Sequence, residues 1–304
     1  MLATLTEERF SRKGWLFEPK FDGERCLVWR RGEAVELYSR NQKLLNEKYP
    51  ELTRAFQAQT TAQFIVDGEI VTFERGVTSF TRLQQRMQVR HPSAELQRNI
   101  PVSFYAFDLL YLDGYDLRQL PLRFRQELLP AAIDFREPLR SAEHRENEGV
   151  AYFEESCRRG WEGIIAKNEE SSYVSGRSRD WLKFKCRKEQ EFVIGGYTDP
   201  QGERTGFGAL LVGYYDAGKL IYAGKVGTGY DSATLRSLRK QLSQLDTTRS
   251  PFADAAVRGH VHWTQPRLVA QIAFAEWTPA GKLRQPRFLG LRSDKKPEEV
   301  VREK

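Results

Sequence analysis

Cysteine is scarce in this chain: Cys26, Cys157 and Cys186 are an odd number and form no C-x-x-C pair. That pattern argues against a disulfide framework and against a zinc site, and three reduced structural thiols are expected. Histidine is scarce too. His260 and His262 stand at i and i+2 with no third partner in sight, so they read as surface residues rather than metal ligands. No apolar run approaches the roughly 18 residues that a membrane span needs. The opening MLATLTEERFSRKGW has no continuous apolar stretch behind a basic start, so no secretory signal is expected and the default compartment is the cytoplasm. Internal repeats and low-complexity segments are also lacking, so the fold is built from unlike parts.

What is present is a globular composition, 40% hydrophobic and 29% charged over 304 residues, enough for two domains that each bury a core. The net charge of +7 and a pI near 9.2 admit a polyanionic partner without demanding one. The densest basic groups, WLKFKCRK and GLRSDKK, are interleaved with aromatics and glycines, a mixture suited to a groove more than to a solvated tail.

Periodicity divides the chain. Residues 15–40 read as strands broken by turns at Asp22-Gly23 and Arg31-Gly32, because RCLVWR and AVELYSR alternate. EKYPELTRAFQAQ has helical spacing, QFIVDGEIVTF returns to strand, FTRLQQRMQ to helix, VSFYAFDLLYLDG to strand and LRFRQELLPAAI to helix. The helix EGVAYFEESCRRG then precedes the strands EGIIAKN and DWLKFK. From Glu189 the character changes to short strands with glycine turns, EFVIGGYT, GALLVGYYD and KLIYAGKVGTGY, interrupted by the helix DSATLRSLRKQLSQL before LVAQIAFAEWT and RFLGLR. A handful of short strands with one inserted helix fits a small closed barrel such as the OB-fold. The expected fold is α+β, with antiparallel sheets and flanking helices over residues 1–187 and an OB-fold β-barrel over 188–304.

The stretch EPKFDGER sets Lys20 just before an Asp-Gly turn. Taken alone, a lysine there is a solvated surface cation. Its company changes that reading: LYSRNQ with Arg40, VDGEIV with Glu69, FYAFDLLYL with Phe107, EGIIAK with Glu162 and Lys167, DWLKFK with Lys183 and Lys185, and RFLGLRSDKK with Arg292, Asp294 and Lys295 follow in order.

On these segments the sequence resembles the covalent nucleotidyltransferases, the superfamily of ATP-dependent DNA ligases, RNA ligases and mRNA capping enzymes. It is most similar to the ligase domain of bacterial non-homologous end-joining ligases, through FDLLYLDG, YVSGRSRDWLKFKC, EFVIGGYT, FGALLVGYYDAGKLIYAGKVGTGY and the closing FAEWTPAGKLRQPRFLGLRSDKKPEEVVRE. Ser293 departs from the acidic residue that this group more often carries before the Asp-Lys pair. The resemblance implies an adenylation domain followed by the barrel, ATP as donor, Mg2+ or Mn2+ as the metal, nicked or broken duplex DNA bound with little sequence preference, and a monomer that works with the end-bridging protein Ku.

Residue by residue, the resemblance makes Lys20 the nucleophile that accepts AMP, with Lys183, Lys185, Asp294 and Lys295 in the catalytic set. It places Glu18, Phe21, Arg25, Arg40, Glu69, Phe107, Lys167 and Arg292 around the nucleotide, and Glu69 and Glu162 near the metal. Phe107 would stack on adenine, worth about 1 to 3 kcal/mol, and Glu18 would approach its amino group. The arginines would grip ribose or phosphate, for which a planar fork suits better than an ammonium. An amine attacks phosphorus only when neutral, and an ordinary lysine pKa of about 10.4 costs roughly 4 kcal/mol at neutral pH. Neighbouring lysines and a divalent ion near Glu162 are the expected remedy.

Other readings stay open at this stage. NAD-dependent ligases carry an extra domain before the nucleophile and a zinc module after it; with 19 residues before Lys20 and no four-thiolate set, ATP is the expected donor instead. A capping guanylyltransferase would prefer GTP, an RNA ligase would share the first domain but usually not this barrel, and an inactive DNA-binding subunit would need no intact lysines.

Overall fold

The computed structural model of the protein describes residues 1–186, 188–200, 205–254, 257 and 260–303. Two compact units emerge, Met1–Cys186 and Arg187–Lys304. Arg187, where the sequence reading ends the first domain, lies outside the described residues.

The first unit opens with β1 (Leu2–Leu5), β2 (Trp15–Pro19), β3 (Glu24–Arg31) and β4 (Ala34–Ser39), followed by α1 (Pro50–Gln57) and β5 (Gln63–Val71). The small hairpin β6 (Phe73–Glu74) and β7 (Val77–Thr78) leads into α2 (Phe80–Met87), α3 (Ala94–Asn99), β8 (Ser103–Leu112) and β9 (Tyr115–Asp116). Then come α4 (Leu122–Glu127), α5 (Leu129–Ala132), β10 (Leu139–Ser141) and β11 (Arg145–Glu146). The unit ends with α6 (Gly149–Arg158), β12 (Gly163–Asn168) and β13 (Arg177–Lys185). The single helix expected over LRFRQELLPAAI is two, because Pro130 has no amide to donate and its ring opposes a continuous turn.

These strands build two sheets, ordered β1-β13-β12-β2-β11 and β10-β8-β5-β3-β4, with β9 beside β8. Neither is wholly antiparallel as expected: β1 runs parallel to β13 and β10 parallel to β8. Alternation gives each strand two jobs. In β3, Cys26 and Val28 join Val66, Ile70 and Phe104 in a core covered by the helices. Phe17, Ile164 and Phe184 do the same behind the other sheet with Tyr152 of α6. The opposite faces meet each other, and a third, small cluster of Leu16, Phe107 and Trp181 lies between them.

One expectation fails here. Cys157, in the last turn of α6, and Cys186, just past β13, form a disulfide with Cα atoms 5.3 Å apart, and only Cys26 is a free thiol. The pairing comes from packing α6 against β12 and β13 and has no local spacing to betray it.

The second unit contains β14 (Glu189–Thr198), β15 (Leu210–Asp216), β16 (Lys219–Val226), α7 (Ser232–Ser243), β17 (Asp246–Thr247) and β18 (Val261–Ala273). It closes with β19 (Glu276–Trp277), β20 (Leu283–Arg284), β21 (Arg287–Leu291) and the 3-10 turn Pro297–Glu299. Asp231 starts α7 by accepting from the Thr234 amide at 2.7 Å. The strand set and lone helix are those of an OB-type domain, ordered β16-β15-β14-β18-β17 with β21 on the other part of β18. The closed barrel is corrected, however. Between β21 and the segment after β16 the described residues show one isolated bridge, Thr228 to Arg287, rather than a ladder. Gly229 allows that close pass, since a Cβ there would lie 2.2 Å from the Phe288 carbonyl oxygen.

Among the described residues no helix is long and apolar enough to cross a membrane.

Candidate active site

Lys20 extends the ladder of β2 by one bond, its amide donating to the Gly163 carbonyl at 2.9 Å. That bond places it beside Glu162, and the Lys20 ammonium is ion-paired with the Glu162 carboxylate. The residues after the lysine explain the K-x-D-G pattern. Asp22 accepts from the Phe80 amide at 3.1 Å, tying the turn to the start of α2. Gly23 passes so close to β5 that a Cβ would sit 2.3 Å from the Ile70 carbonyl oxygen.

Deeper between the sheets lies a charged cluster. Lys167 reaches Glu18 at 2.6 Å, with both side chains almost wholly buried. Burial raises Glu18 above the ordinary carboxylate range against the pull of Lys167, and lowers Lys167 against the pull of Glu18. Facing them, Arg25 grips Asp67 through two bonds of 2.5 Å, and Tyr173 donates to the same carboxylate at 2.7 Å. Burial pushes Asp67 up, but Arg25 outweighs it and the net shift is downward. A third buried pair, Arg125 of α4 with Asp108 at 2.7 and 2.8 Å, stands behind.

Phe107 sits where β8 skips a register step against β5: Ala106 faces Gly68 and Asp108 faces Asp67, leaving Phe107 as the extra residue. The bulge turns its ring into the space between the sheets. There it is 7% exposed, with the Lys167 ammonium 4.5 Å and the Arg25 guanidinium 4.6 Å from its centroid and Trp181 packed edge-on at 6.0 Å. A cavity of about 680 Å³ opens beside Lys20, and the rings on its wall are those of Phe21, Phe73, Tyr105, Phe135, Tyr152 and Trp161 rather than Phe107. The Phe21 and Tyr105 rings pack at a tilt, with centroids 4.5 Å apart.

The remaining residues of the first unit arrive by register. Glu69 pairs with both Arg25 and Tyr105 across β5, so it points to the same side as they do. Lys183 faces Ile165 and Lys185 faces Gly163 on β13. Gly163 is obligatory there, since φ is +148° and a Cβ would lie 1.9 Å from the Phe184 carbonyl oxygen. Arg40 follows the Cys26–Ser39 pair at the end of β4.

Among the described residues no group of three or more metal-ligating side chains exists. Glu69 and Glu162 are hard oxygen donors, which fits a magnesium ion that takes most of its ligands from phosphate and water.

Arg292, Asp294 and Lys295 belong to the second unit. There Arg292 forks onto Asp294 at 2.8 and 2.7 Å, and Lys295 lies 3.2 Å from Glu191. Burial pushes the Asp294 carboxyl up, but Arg292 outweighs it and the net shift is downward. His262 contacts Asp199 at 2.7 Å and stacks on the buried Tyr197 at 4.8 Å, which leaves it half-buried.

Sequence reasoning passed over Asp67, Arg125, Gln126 and Tyr173. Asp67 stands in the VDGEIV segment two residues before Glu69, on the same face, which is the one signal that could have found it.

The model of the ATP dependent DNA ligase domain matches residues 1–185, and that of the ATP dependent DNA ligase C terminal region matches 203–295. The chain is 39% identical over 295 residues to the multifunctional non-homologous end joining DNA repair protein LigD of Mycobacterium tuberculosis, covering 95% of this chain and 37% of that one. With LigD of Pseudomonas aeruginosa it shares 36% identity over 312 aligned positions, covering 100% of this chain and 36% of the relative. A solved structure titled mycobacterial DNA ligase D complexed with ATP and MES is 37% identical, with a TM-score of 0.67 over 99% of this chain and 98% of that one. The chain thus spans little more than a third of the length of these curated relatives.

Proposed function

The chain belongs to the ATP-dependent DNA ligase family, and from that premise we propose that it seals 3′-hydroxyl/5′-phosphate breaks in duplex DNA, in the service of non-homologous end joining. The first unit is the adenylation domain and the second the OB domain of this reading. The observation that carries it is Lys20, set by the β2 ladder at the rim of a large cavity and held against Glu162.

Lys20 Nζ attacks the α-phosphorus of ATP, forming a phosphoramidate as the bond to pyrophosphate breaks. The AMP passes to a DNA 5′-phosphate oxygen, which releases Lys20. The 3′-hydroxyl then attacks that 5′-phosphate, the strand joins and AMP leaves. Each displacement is in line, so the protein's work is positioning and charge neutralisation.

Phe107 is the face on which adenine stacks. The Arg25 guanidinium lies over that ring, and a base stacked there would take its place. Arg25, Arg40 and Glu69 address the ribose and phosphates, and Lys183 and Lys185 the α-phosphate. Magnesium bound with ATP would be held by Glu162 and Glu69 and would neutralise phosphate charge. Arg292, Asp294 and Lys295 assist departure of pyrophosphate. The +7 charge addresses the DNA backbone without base readout. Ku is the proposed partner, and the cytoplasm the proposed compartment.

The test is nick sealing with ATP, GTP or NAD on DNA and RNA duplexes. Sealing of nicked DNA with ATP alone is expected. Preference for GTP would point to a capping enzyme and sealing only of RNA to an RNA ligase. No adduct with any nucleotide would leave a binding subunit.

A further inference from the structure

Two residues of the nucleotide site, Glu18 and Phe107, lie on different sheets, yet one side chain touches both. Gln126 of α4 donates through Nε2 to Glu18 Oε1 at 2.6 Å and to the Phe107 carbonyl at 3.2 Å. Both partners are acceptors, so the amide has one possible orientation.

The Phe107 carbonyl needs such a donor. Phe107 has no partner in the register with β5, and the pairing of β8 with β10 ends at Ala106 and Ser141. A bulged carbonyl outside the ladder must find its hydrogen bonds elsewhere. Gln126 supplies one and Lys167, at 3.2 Å, the other. Next to Gln126, Arg125 grips Asp108, so consecutive residues of α4 hold consecutive residues of the bulge. The two differ in one respect. Arg125 makes bonds on every side and is 0% exposed, whereas the Gln126 Oε1 atom is buried without a partner among the described residues. A side chain left half satisfied is a poor stabiliser, and what its other half holds is the pair of nucleotide-site residues.

We propose that Gln126 is a positioning residue for nucleotide binding: it locks the backbone of the Phe107 bulge to Glu18, so that the strand carrying the base-stacking ring and the acid beside it keep one relative position. This rests on the reading of Phe107 as the residue that stacks on adenine. A preformed site loses less freedom on binding, and the gain appears in ATP affinity rather than in the displacement at phosphorus.

The experiment measures lysyl-AMP formation against ATP concentration for wild type, Gln126→Ala, Phe107→Ala and the double variant, with thermal melting alongside. Gln126→Ala is expected to raise KM for ATP about tenfold at nearly unchanged kcat. In the Phe107→Ala background the same change should add less than about threefold, because the two act through one ring. If Gln126→Ala does not fold, Gln126→Met, which is close in shape and has no donor, takes its place in the cycle. A normal KM for Gln126→Ala, or a full tenfold added to Phe107→Ala, overturns the positioning role while leaving the ligase reading intact. A normal KM for Phe107→Ala overturns the stacking reading and the inference together.

Discussion

Lys20 and Glu162 approach from adjacent strands of one sheet and form an ion pair at the rim of the cavity. The backbone of Lys20 is therefore held by the ladder, and its side-chain ammonium by a carboxylate.

Lys20→Ala should abolish the covalent AMP adduct, because no other amine occupies that point of the ladder. Acid-precipitable counts from α-labelled ATP measure it. Label persisting on the variant would move the nucleophile elsewhere.

Gly23→Ala should damage the site and the fold together. The added methyl would sit 2.3 Å from the Ile70 carbonyl oxygen, and overpacking of that kind costs about 1–3 kcal/mol. A lower melting temperature with a larger fractional loss of adduct is the expected pair of results; an unchanged melting curve would contradict the close approach.

Asp67 gives a pH dependence with a definite sign. Its folded-state pKa lies below the ordinary value, so the stability it adds is present above its unfolded pKa and is lost as pH falls through the folded one. Asp67→Asn should flatten the fall in urea stability below about pH 4, the ordinary carboxylate range. At neutral pH it should cost about 1–3 kcal/mol, since the half-buried Arg25 keeps only an uncharged partner. An acid limb as steep as that of wild type would remove Asp67 from the account.

The Cys157–Cys186 bond closes a loop across a sequence separation of 29. Chain-entropy reasoning gives such a loop about 3–4 kcal/mol. Reductant or Cys157→Ser should lower the melting temperature accordingly, and reductant should have no further effect on the variant. Equal melting with and without reductant would mean that the bond adds nothing.

Lys295→Ala and Asp294→Ala should slow lysyl-AMP formation, by about a hundredfold if they stabilise the leaving pyrophosphate. Closure of a nick already carrying 5′-AMP releases no pyrophosphate and should be largely spared. Equal loss in both assays would assign the Arg292–Asp294 fork to holding the second unit together.

The strands and most helices are legible in the chain, because alternation and helical spacing are local and each buried face leaves its period there. The segments around Lys20 and Glu162 are legible too, because Gly23 and Gly163 are dictated by close backbone approach, whereas the roles of the other site residues come from the resemblance and remain proposals. Tertiary structure decided what depends on distant partners. The disulfide arose from helix packing, the parallel pairs β1–β13 and β8–β10 from chain returns, and the barrel stayed open where β21 meets its neighbour at a single bridge. Phe107 is legible as an aromatic in a strand, but the bulge that aims it and the Gln126 amide that holds it are not. Both depend on a register between strands and on a helix some way along the chain, contacts with no local period to announce them.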